Sequence, residues 1–248
     1  MIRGLLFDLN GTVIDIWTDE GDPQVYRVTA NYLDYCGISI APEQLKEQFA
    51  ELNREQRRNS PEKYPEFDVV KIFRDIILGG ISPVRYQVLN HQAESAAVVF
   101  RAVSRRRLEL YPDVCGVLDR LKADYQLAAV SDGQPLWAIP ELRSVGLEPY
   151  FSPVVISGDF GFRKPDSRLF QLALDRLGLH PQETVFVGND MFRDIYGASQ
   201  TGMRTVFFKS NQGDHRYHGA EPDYIIHHFR ELPQALAYLS GKDAPSAV

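Results

Sequence analysis

Cysteines, long apolar runs and an excess of positive charge are what this chain of 248 residues lacks. Its two cysteines, Cys36 and Cys115, lie in unrelated contexts, which excludes a disulfide framework and a zinc-ligand spacing and fits a reducing compartment. No apolar run approaches the roughly 20 residues that cross a bilayer. The formal net charge of −6 argues against a nucleic-acid backbone as the main partner.

The N-terminus also lacks the apolar segment of a signal peptide, because Met1, Ile2 and Arg3 lead directly into an apolar stretch. The chain contains no internal repeat and no low-complexity segment. Hydrophobic residues make up 44% and charged residues 24%, which is typical of an ordered globular protein. We therefore predict a cytoplasmic protein of one large domain or two modest ones, with no contact to a membrane.

Residues 5–15 combine an apolar run with a carboxylate, an amide, a glycine and a hydroxyl. The pattern predicts a buried strand that ends in a turn, with Asp8 and Asn10 on the same side. Gly11 allows a sharp backbone turn, and Thr12 can bond back to it. Alone this motif is only moderately specific, because Asn-Gly marks turns in many proteins.

From Ile16 to about Leu110 the chain reads as wholly helical. Short apolar clusters recur at helical spacing among many charges, and amphipathic helices are predicted over residues 42–57, 67–78 and 86–103. A glycine- and proline-containing break is predicted at residues 79–83. This half fits a small separate helical bundle.

After Leu108 strands alternate with helices, which predicts a parallel, doubly wound sheet. The first strand belongs to this sheet, so the helical bundle is an insertion behind it. Helices are predicted over 112–122 and 167–177, and another follows residue 190 as far as Ala198. Strands are predicted over 126–131, 154–157, 184–187, 205–208 and 224–226. The polar tail 241–248 is predicted to be frayed.

Polar groups follow the ends of the strands, where an open parallel sheet gathers its chemistry. In chain order they are Asp8 and Asn10, Ser131, Lys164, and Asp190 with Asp194. A carboxylate nucleophile, a hydroxyl, an ammonium and an acidic pair suit phosphoryl transfer, which needs in-line attack and neutralisation of the phosphoryl oxygens.

Each of these residues has an ordinary interpretation when it is taken alone. Ser131 is typical of a turn after a strand, and a lone Lys164 is typical of a solvated surface. Asp190 and Asp194 lie at a helix start, where acids stabilise the helix dipole. The functional interpretation is favoured because the ordinary ones would all have to hold together.

In this order the motifs resemble those of the haloacid dehalogenase superfamily, in the branch with a helical cap inserted after the first motif. Residues 8–12 match the first motif, Ser131 the second, Lys164-Pro165 the third and residues 188–194 the fourth. The resemblance covers the whole chain. It implies an α/β fold with a Rossmann-like parallel-sheet core, residues 1–15 and 110–240, and an all-helical cap domain, residues 16–109.

The resemblance also implies a nucleophile and a metal ion. Asp8 would attack phosphorus and form an aspartyl-phosphate. Mg²⁺, which prefers oxygen ligands, would be bound by the Asp8 carboxylate, the backbone carbonyl of Asn10 and Asp190. Asn189 could share or replace the place of Asp190, but Asp190 is the better ligand because an asparagine side chain is neutral.

The remaining site residues follow from the same resemblance. Ser131 would hydrogen-bond a phosphoryl oxygen, helped by the backbone N–H groups of Asp132 or Gly133. Lys164 would balance the negative charge of Asp8 and of the phosphoryl group. The supporting residues are Thr12, Asn189 and Asp194.

Asn10 departs from the family pattern. Phosphatases of the family usually carry an aspartate there, which protonates the leaving alcohol and then activates water, and an amide cannot do this at neutral pH. Losing such a group costs on the order of 10²–10⁴ in rate. The chain could therefore be a slow enzyme, could favour substrates with good leaving groups, or could use another group as the acid. It could also bind phosphorylated ligands without turnover. Asn10 itself could be an engineered residue, or could deamidate to aspartate.

We therefore predict a Mg²⁺-dependent hydrolase, a phosphatase of small phosphorylated molecules. The alternative is a non-catalytic phosphate-binding or interaction protein on the same scaffold. A metal-independent haloacid dehalogenase is a third possibility, disfavoured because those enzymes place an aromatic residue at position 10 and do not need Asp190.

Overall fold

A parallel sheet of six strands lies at the centre of the molecule in our computed structural model, which describes residues 1–79 and 86–241, with the backbone alone for 86–89. In chain order the strands are β1 (Gly4–Phe7), β2 (Ile14–Thr18), β3 (Arg105–Leu110), β4 (Gln126–Ser131), β5 (Val154–Ile156), β6 (Thr184–Gly188), β7 (Arg204–Phe208) and β8 (Tyr224–Ile226). The central sheet has the order β5-β4-β1-β6-β7-β8 and confirms the predicted parallel topology.

The helices cover both faces of this sheet and form the insertion. They are α1 (Pro23–Tyr35), α2 (Pro42–Asn59), α3 (Val69–Gly79), α4 (Tyr86–Ser104), α5 (Val114–Leu121), α6 (Pro135–Ser144), α7 (Ser167–Leu177), α8 (Gly197–Ser199) and α9 (Leu232–Leu239), with a π-helical segment, Met191–Tyr196, directly before α8. Short 3₁₀ turns lie at Glu148–Tyr150, Ser157–Asp159, Pro181–Glu183 and Phe229–Glu231. None of the helices within the described residues is long and apolar enough to cross a membrane.

Strand β1 is buried on both faces, which explains its continuous apolar sequence. Leu5 and Phe7 pack against the layer that contains α5 and α9, whereas Leu6 packs against the layer that contains α7. Leu6 lies level with Ala128 of β4 and Phe186 of β6. The first motif therefore follows one of the two middle strands of the sheet.

The insertion has a hydrophobic core of its own, made by α1 to α4. Phe49 of α2 and Phe100 of α4 stack with their ring centroids 4.6 Å apart. Helices α2, α3 and α4 confirm the three predicted amphipathic helices to within two residues at each end. The break predicted at 79–83 and the tail predicted to fray lie, beyond Gly79 and Gly241, outside the described residues.

Two strands at the ends of the insertion correct the prediction of a wholly helical segment from Ile16 to Leu110. Strands β2 and β3 form an antiparallel ribbon in which Ile16 lies opposite Leu108 and Asp15 opposite Glu109. Apolar and polar side chains alternate only over residues 14–16 and 107–110, a signal that is short beside the helical patterns around it. The predicted domain boundaries, 15/16 and 109/110, fall on this ribbon.

Helix α6, which the sequence pattern did not predict, joins the sheet to the insertion. Trp137 of α6 belongs to the core of the inserted helices and donates its indole N–H to the carbonyl of Ala97 at 2.9 Å. Glu141, also of α6, is 2.7 Å from Arg101 of α4. The inserted helices are thus held against the sheet next to the loop that follows β4.

Candidate active site

Asp8 lies directly after β1, at the carboxyl edge of the sheet, and is only 5% exposed. Its backbone N–H donates to the carbonyl of Val187 in β6 at 2.9 Å, which continues the strand pairing and fixes the direction of the side chain. The ammonium of Lys164 lies 2.6 Å from Asp8 Oδ1. A buried carboxylate with a cation on one oxygen is therefore presented where parallel sheets place their ligands.

Lys164 holds two carboxylates together, because its Nζ is also 2.7 Å from Asp194 Oδ1. Burial alone lowers the pKa of Lys164, but the charges of Asp194 and Asp8 raise it above its usual range. The loop that carries it is fixed by its backbone N–H, which donates to Asp132 Oδ1 at 2.9 Å. Lys164 is consequently a permanent positive charge beside Asp8.

Asp194 anchors the start of the π-helical segment. Its Oδ2 accepts the backbone N–H groups of Asn189 and Asp190, each at 3.0 Å. Burial and the charge of Asp8 together raise the pKa of Asp194 to about 6, against the opposing effect of Lys164. Asp194 therefore positions both the loop after β6 and Lys164.

The hydroxyl of Thr12 links Asp8 to Asn189. Thr12 Oγ1 lies 3.0 Å from Asp8 Oδ2 and 3.0 Å from the amide of Asn189. The single hydroxyl proton is donated to Asp8 Oδ2 or to Asn189 Oδ1, both of which are acceptors. Thr12 thereby connects the first motif to the fourth.

Two glycines enclose the Asn189 side chain. Gly11 and Gly213 have φ angles of +89° and +84°, which side-chain-bearing residues rarely adopt, and a Cβ on either would collide with Asn189. The glycine in the first motif is thus required by the neighbouring fourth motif as well as by the turn.

These residues surround a cavity of about 180 Å³. Its lining residues are Asp8, Asn10, Asp132, Lys164, Asn189, Arg193, Asp194, Gln212 and Gly213. A larger cleft of about 400 Å³ shares Asn10, Asp132 and Arg193 with the cavity and extends to Asn53 and Arg57 of α2. The inserted helices therefore line the approach to Asp8, in the manner of a cap.

Comparison with known proteins agrees with this arrangement. A family model described as haloacid dehalogenase-like hydrolase matches residues 2–202. The chain belongs to this hydrolase family. It is 28% identical to a glyceraldehyde 3-phosphate phosphatase of Methanopyrus kandleri, over 97% of this chain and 99% of that protein.

Solved structures show the same fold. A 2-haloacid dehalogenase from Pseudomonas syringae pv. tomato superposes with a TM-score of 0.69 at 23% identity, covering 96% of this chain and 99% of that one. A phosphatase of the haloacid dehalogenase family from Thermococcus onnurineus gives a TM-score of 0.60 at 26% identity, covering 95% and 98%. Both likenesses extend through the inserted helices.

Asp190, which the sequence analysis places in the metal ligand set, is not among the residues that line the cavity. Its Oδ1 accepts the backbone N–H groups of Phe192 and Arg193, at 3.0 and 2.8 Å, and so caps the π-helical segment. Its Oδ2 accepts from the Arg193 side chain at 3.0 Å and from the backbone of Asp214 at 3.1 Å. Asn189, the preceding residue, lines the cavity instead, because the carboxylate of Asp190 is engaged in the helix cap.

The loop after β4 carries three of the predicted site residues, Ser131, Asp132 and Gly133. Ser131 is buried and does not line the cavity, and the Gly133 N–H already donates to the Ser157 hydroxyl at 2.9 Å. Asp132 lines both the cavity and the cleft. Asp132 rather than Ser131 is therefore the residue of this loop that lines the cavity of Asp8.

Arg193 is a site residue that the sequence analysis missed. Its guanidinium is held by Asp190, with Nη2 2.9 Å from the carboxylate, and it lines both the cavity and the cleft. Burial lowers its pKa but the charges of Asp190 and Asp194 raise it more, so it stays charged. Its position three residues after Asp190, one helical turn on, was the available signal.

Proposed function

We propose that this chain is a phosphatase of small phosphorylated molecules, with Asp8 as the nucleophile. The observation that carries the proposal is the buried Asp8 carboxylate, held 2.6 Å from Lys164 in a cavity that Arg193 also lines. Two fixed cations beside a carboxylate suit attack on an anionic phosphoryl group. The similarity to a glyceraldehyde 3-phosphate phosphatase over nearly its full length supports the same chemistry.

The proposed reaction has two steps. An oxygen of Asp8 attacks phosphorus in line, the bond from phosphorus to the leaving oxygen breaks, and an aspartyl-phosphate forms. Lys164 and Arg193 offset the charge on the phosphoryl oxygens, while Thr12 holds the second carboxylate oxygen of Asp8. Water then attacks the aspartyl-phosphate and releases phosphate.

The size of the site favours small substrates. The cavity of about 180 Å³ accommodates a phosphoryl group, and the cleft of about 400 Å³ accommodates a small body attached to it. The cleft is also lined by Arg57, Arg101 and Arg163, of which Arg101 is engaged by Glu141. Because Glu20, Glu66 and Glu141 also line the cleft, its charges are mixed and suit a polar substrate body.

Magnesium is part of the proposal, with Asn189 in place of Asp190. The proposed ligands are the Asp8 carboxylate and the amide or carbonyl oxygens of Asn10 and Asn189, which line the cavity together with Asp132, Asp194 and Gln212. Mg²⁺ is commonly held by one or two carboxylates together with substrate phosphate oxygens, so this set fits the ion, although weakly. When bound, the ion would neutralise charge on the phosphoryl group.

The ligand assignment is tested by changing Asn189 and Asp190 separately. Asn189→Asp is expected to raise the affinity for Mg²⁺ by roughly tenfold or more, because it adds a second carboxylate. Asp190→Asn is expected to leave that affinity unchanged and to lower stability by about 1–2 kcal/mol, because the amide keeps the helix cap but loses the ion pair with Arg193 and turns its NH₂ group toward the donors of Arg193 and Asp214. Calorimetric titration with MgCl₂ and thermal unfolding measure the two effects; a loss of Mg²⁺ binding in Asp190→Asn alone would restore the sequence-based assignment.

The proposed activity is tested with para-nitrophenyl phosphate and glyceraldehyde 3-phosphate in the presence of Mg²⁺. We expect release of phosphate from both, and a phosphoenzyme in acid-quenched samples by mass spectrometry. Asp119→Asn, at a surface aspartate whose side chain is 52% exposed, is the matched control and should behave like the unmodified chain. Binding of phosphate without any phosphoenzyme would support the non-catalytic alternative instead.

Carbon–halogen cleavage is the second candidate, because Asp190, which argued against it, does not face the cavity. Asn10 opposes it, since the dehalogenases carry an aromatic residue there. Chloride release from a chlorinated propionate is expected to be absent. Chloride release that does not require Mg²⁺, without phosphate release, would replace the phosphatase proposal.

A further inference from the structure

Asp132 has a buried carboxylate oxygen without a hydrogen bond. Its Oδ1 accepts the backbone N–H of Lys164 at 2.9 Å, whereas its Oδ2 accepts no hydrogen bond and lies 3.8 Å from Arg193 Nη1. Among the described side chains, those of residues 1–79 and 90–241, only one other buried atom, Arg107 Nε, lacks a hydrogen bond. A buried carboxylate oxygen without a hydrogen bond destabilises the folded chain. Such an oxygen can be explained by a proton that it carries or by a substrate atom that it contacts during the reaction.

Asp132 also lies at the boundary where a leaving group would stand. It is one of three residues, with Asn10 and Arg193, that line both the cavity of Asp8 and the cleft. The phosphoryl group belongs in the cavity and the rest of the substrate in the cleft, so the bond that breaks crosses this boundary. Asn10 occupies the same boundary, but its amide has no acidic proton to transfer.

We propose that Asp132 is the general acid and base of the reaction, in the role that Asn10 cannot fill. This assignment rests on the phosphatase function proposed above. As Asp8 attacks phosphorus and the phosphorus–oxygen bond breaks, the Asp132 carboxylic acid gives its proton to the leaving oxygen, which departs as an alcohol. The Asp132 carboxylate then takes a proton from the water that attacks the aspartyl-phosphate, so that phosphate is released and the acid is restored.

The surroundings of Asp132 favour a proton on it. Burial raises the pKa of Asp132 above its usual range, and Asp194 raises it further, against the charges of Lys164 and Arg193. The other acid near it is Glu66, whose pKa is also raised by burial. The backbone N–H on Oδ1 leaves Oδ2 as the oxygen that carries the proton.

Asp132→Asn tests the assignment, because the amide oxygen can keep the hydrogen bond from Lys164. With glyceraldehyde 3-phosphate, whose leaving alcohol needs a proton, kcat/KM is expected to fall by roughly 10²–10⁴. With para-nitrophenyl phosphate, whose leaving group departs as an anion, kcat/KM should change by less than about tenfold. The phosphoenzyme should then accumulate, with a burst of nitrophenolate, because its hydrolysis lacks the base.

A second variant separates a chemical role from a structural one. When Asn10→Asp is added to Asp132→Asn, kcat/KM with glyceraldehyde 3-phosphate is expected to be at least tenfold higher than in Asp132→Asn alone, because a carboxylate is returned to the same boundary. An equal loss with both substrates, or no rescue, overturns the assignment of Asp132 alone. Absence of phosphate release and of phosphoenzyme in the unmodified chain overturns the phosphatase proposal, and this assignment with it.

Discussion

Replacing Asp8 by asparagine is expected to reduce hydrolysis by roughly 10⁴-fold or more, to the level of the uncatalysed control. The amide is nearly the same size and can still accept from Lys164, but it cannot attack phosphorus. No phosphoenzyme should form. Steady-state phosphate release and acid-quench mass spectrometry with para-nitrophenyl phosphate measure the loss, and residual turnover within tenfold of the unmodified chain would show that Asp8 is not the nucleophile.

The same substitution is expected to leave the folded state as stable as before, or more stable by up to about 1 kcal/mol at pH 7. The reason is Asp194, whose pKa is raised to about 6 by burial and partly by the charge of Asp8. A carboxyl with a raised pKa in the folded chain contributes fully to stability at low pH, and this contribution is lost as the pH rises through about 6. The gain in Asp8→Asn should therefore shrink between pH 7 and pH 4.

Asp194→Asn is the matched control, since it also removes one buried negative charge beside Lys164. It is expected to destabilise the chain by about 1–3 kcal/mol. An amide has only one oxygen, so if that oxygen accepts the backbone N–H groups of Asn189 and Asp190, the NH₂ group points at the Lys164 ammonium, and two donors then face each other. Urea unfolding of both variants distinguishes the reacting carboxylate from the anchoring one. Equal destabilisation in the two would contradict this division.

The fold was largely predictable because the sequence patterns of its central parts are long or strongly apolar. Strand β1 is covered on both faces and therefore reads as an uninterrupted apolar run, and α2, α3 and α4 each bury one face against a separate core. The ribbon of β2 and β3 was missed because the short alternation over residues 14–16 and 107–110 carries little signal. Helix α6 was missed because Trp137 faces the cap while Leu142 faces the sheet, which blurs its periodicity.

The site was predictable as a set of loops but not as a set of side-chain directions. Parallel topology places Asp8, Lys164 and Asp194 at one edge of the sheet, and the structure brings these three into direct contact. Asn189 and Asp190 are adjacent in sequence, and only the π-helical start of the next segment decides which of them faces inward. Arg193 was missed because its direction depends on the Asp190 cap.

Replacing Lys164 by methionine is expected to lower the free energy of unfolding by about 3–5 kcal/mol at pH 8, because two buried carboxylates lose their shared cation. The loss should be smaller at pH 5, since the pKa of Asp194 rises further without Lys164 and the protonated acid needs no partner. Hydrolysis should fall with it. Urea unfolding at the two pH values measures the effect; a loss below about 1 kcal/mol at both would contradict the buried triad.

Lys122→Met provides the control, because Lys122 is also paired with an aspartate, at 2.6 Å, but is more than half exposed. It should leave the free energy of unfolding unchanged, since solvent screens such a pair. Adding Asp8→Asn to Lys164→Met should then recover part of the stability, because one of the two unpaired carboxylates is gone. The two residues therefore affect turnover and stability differently. Each is needed for turnover, but removing the Asp8 charge should raise the free energy of unfolding of the chain that lacks Lys164.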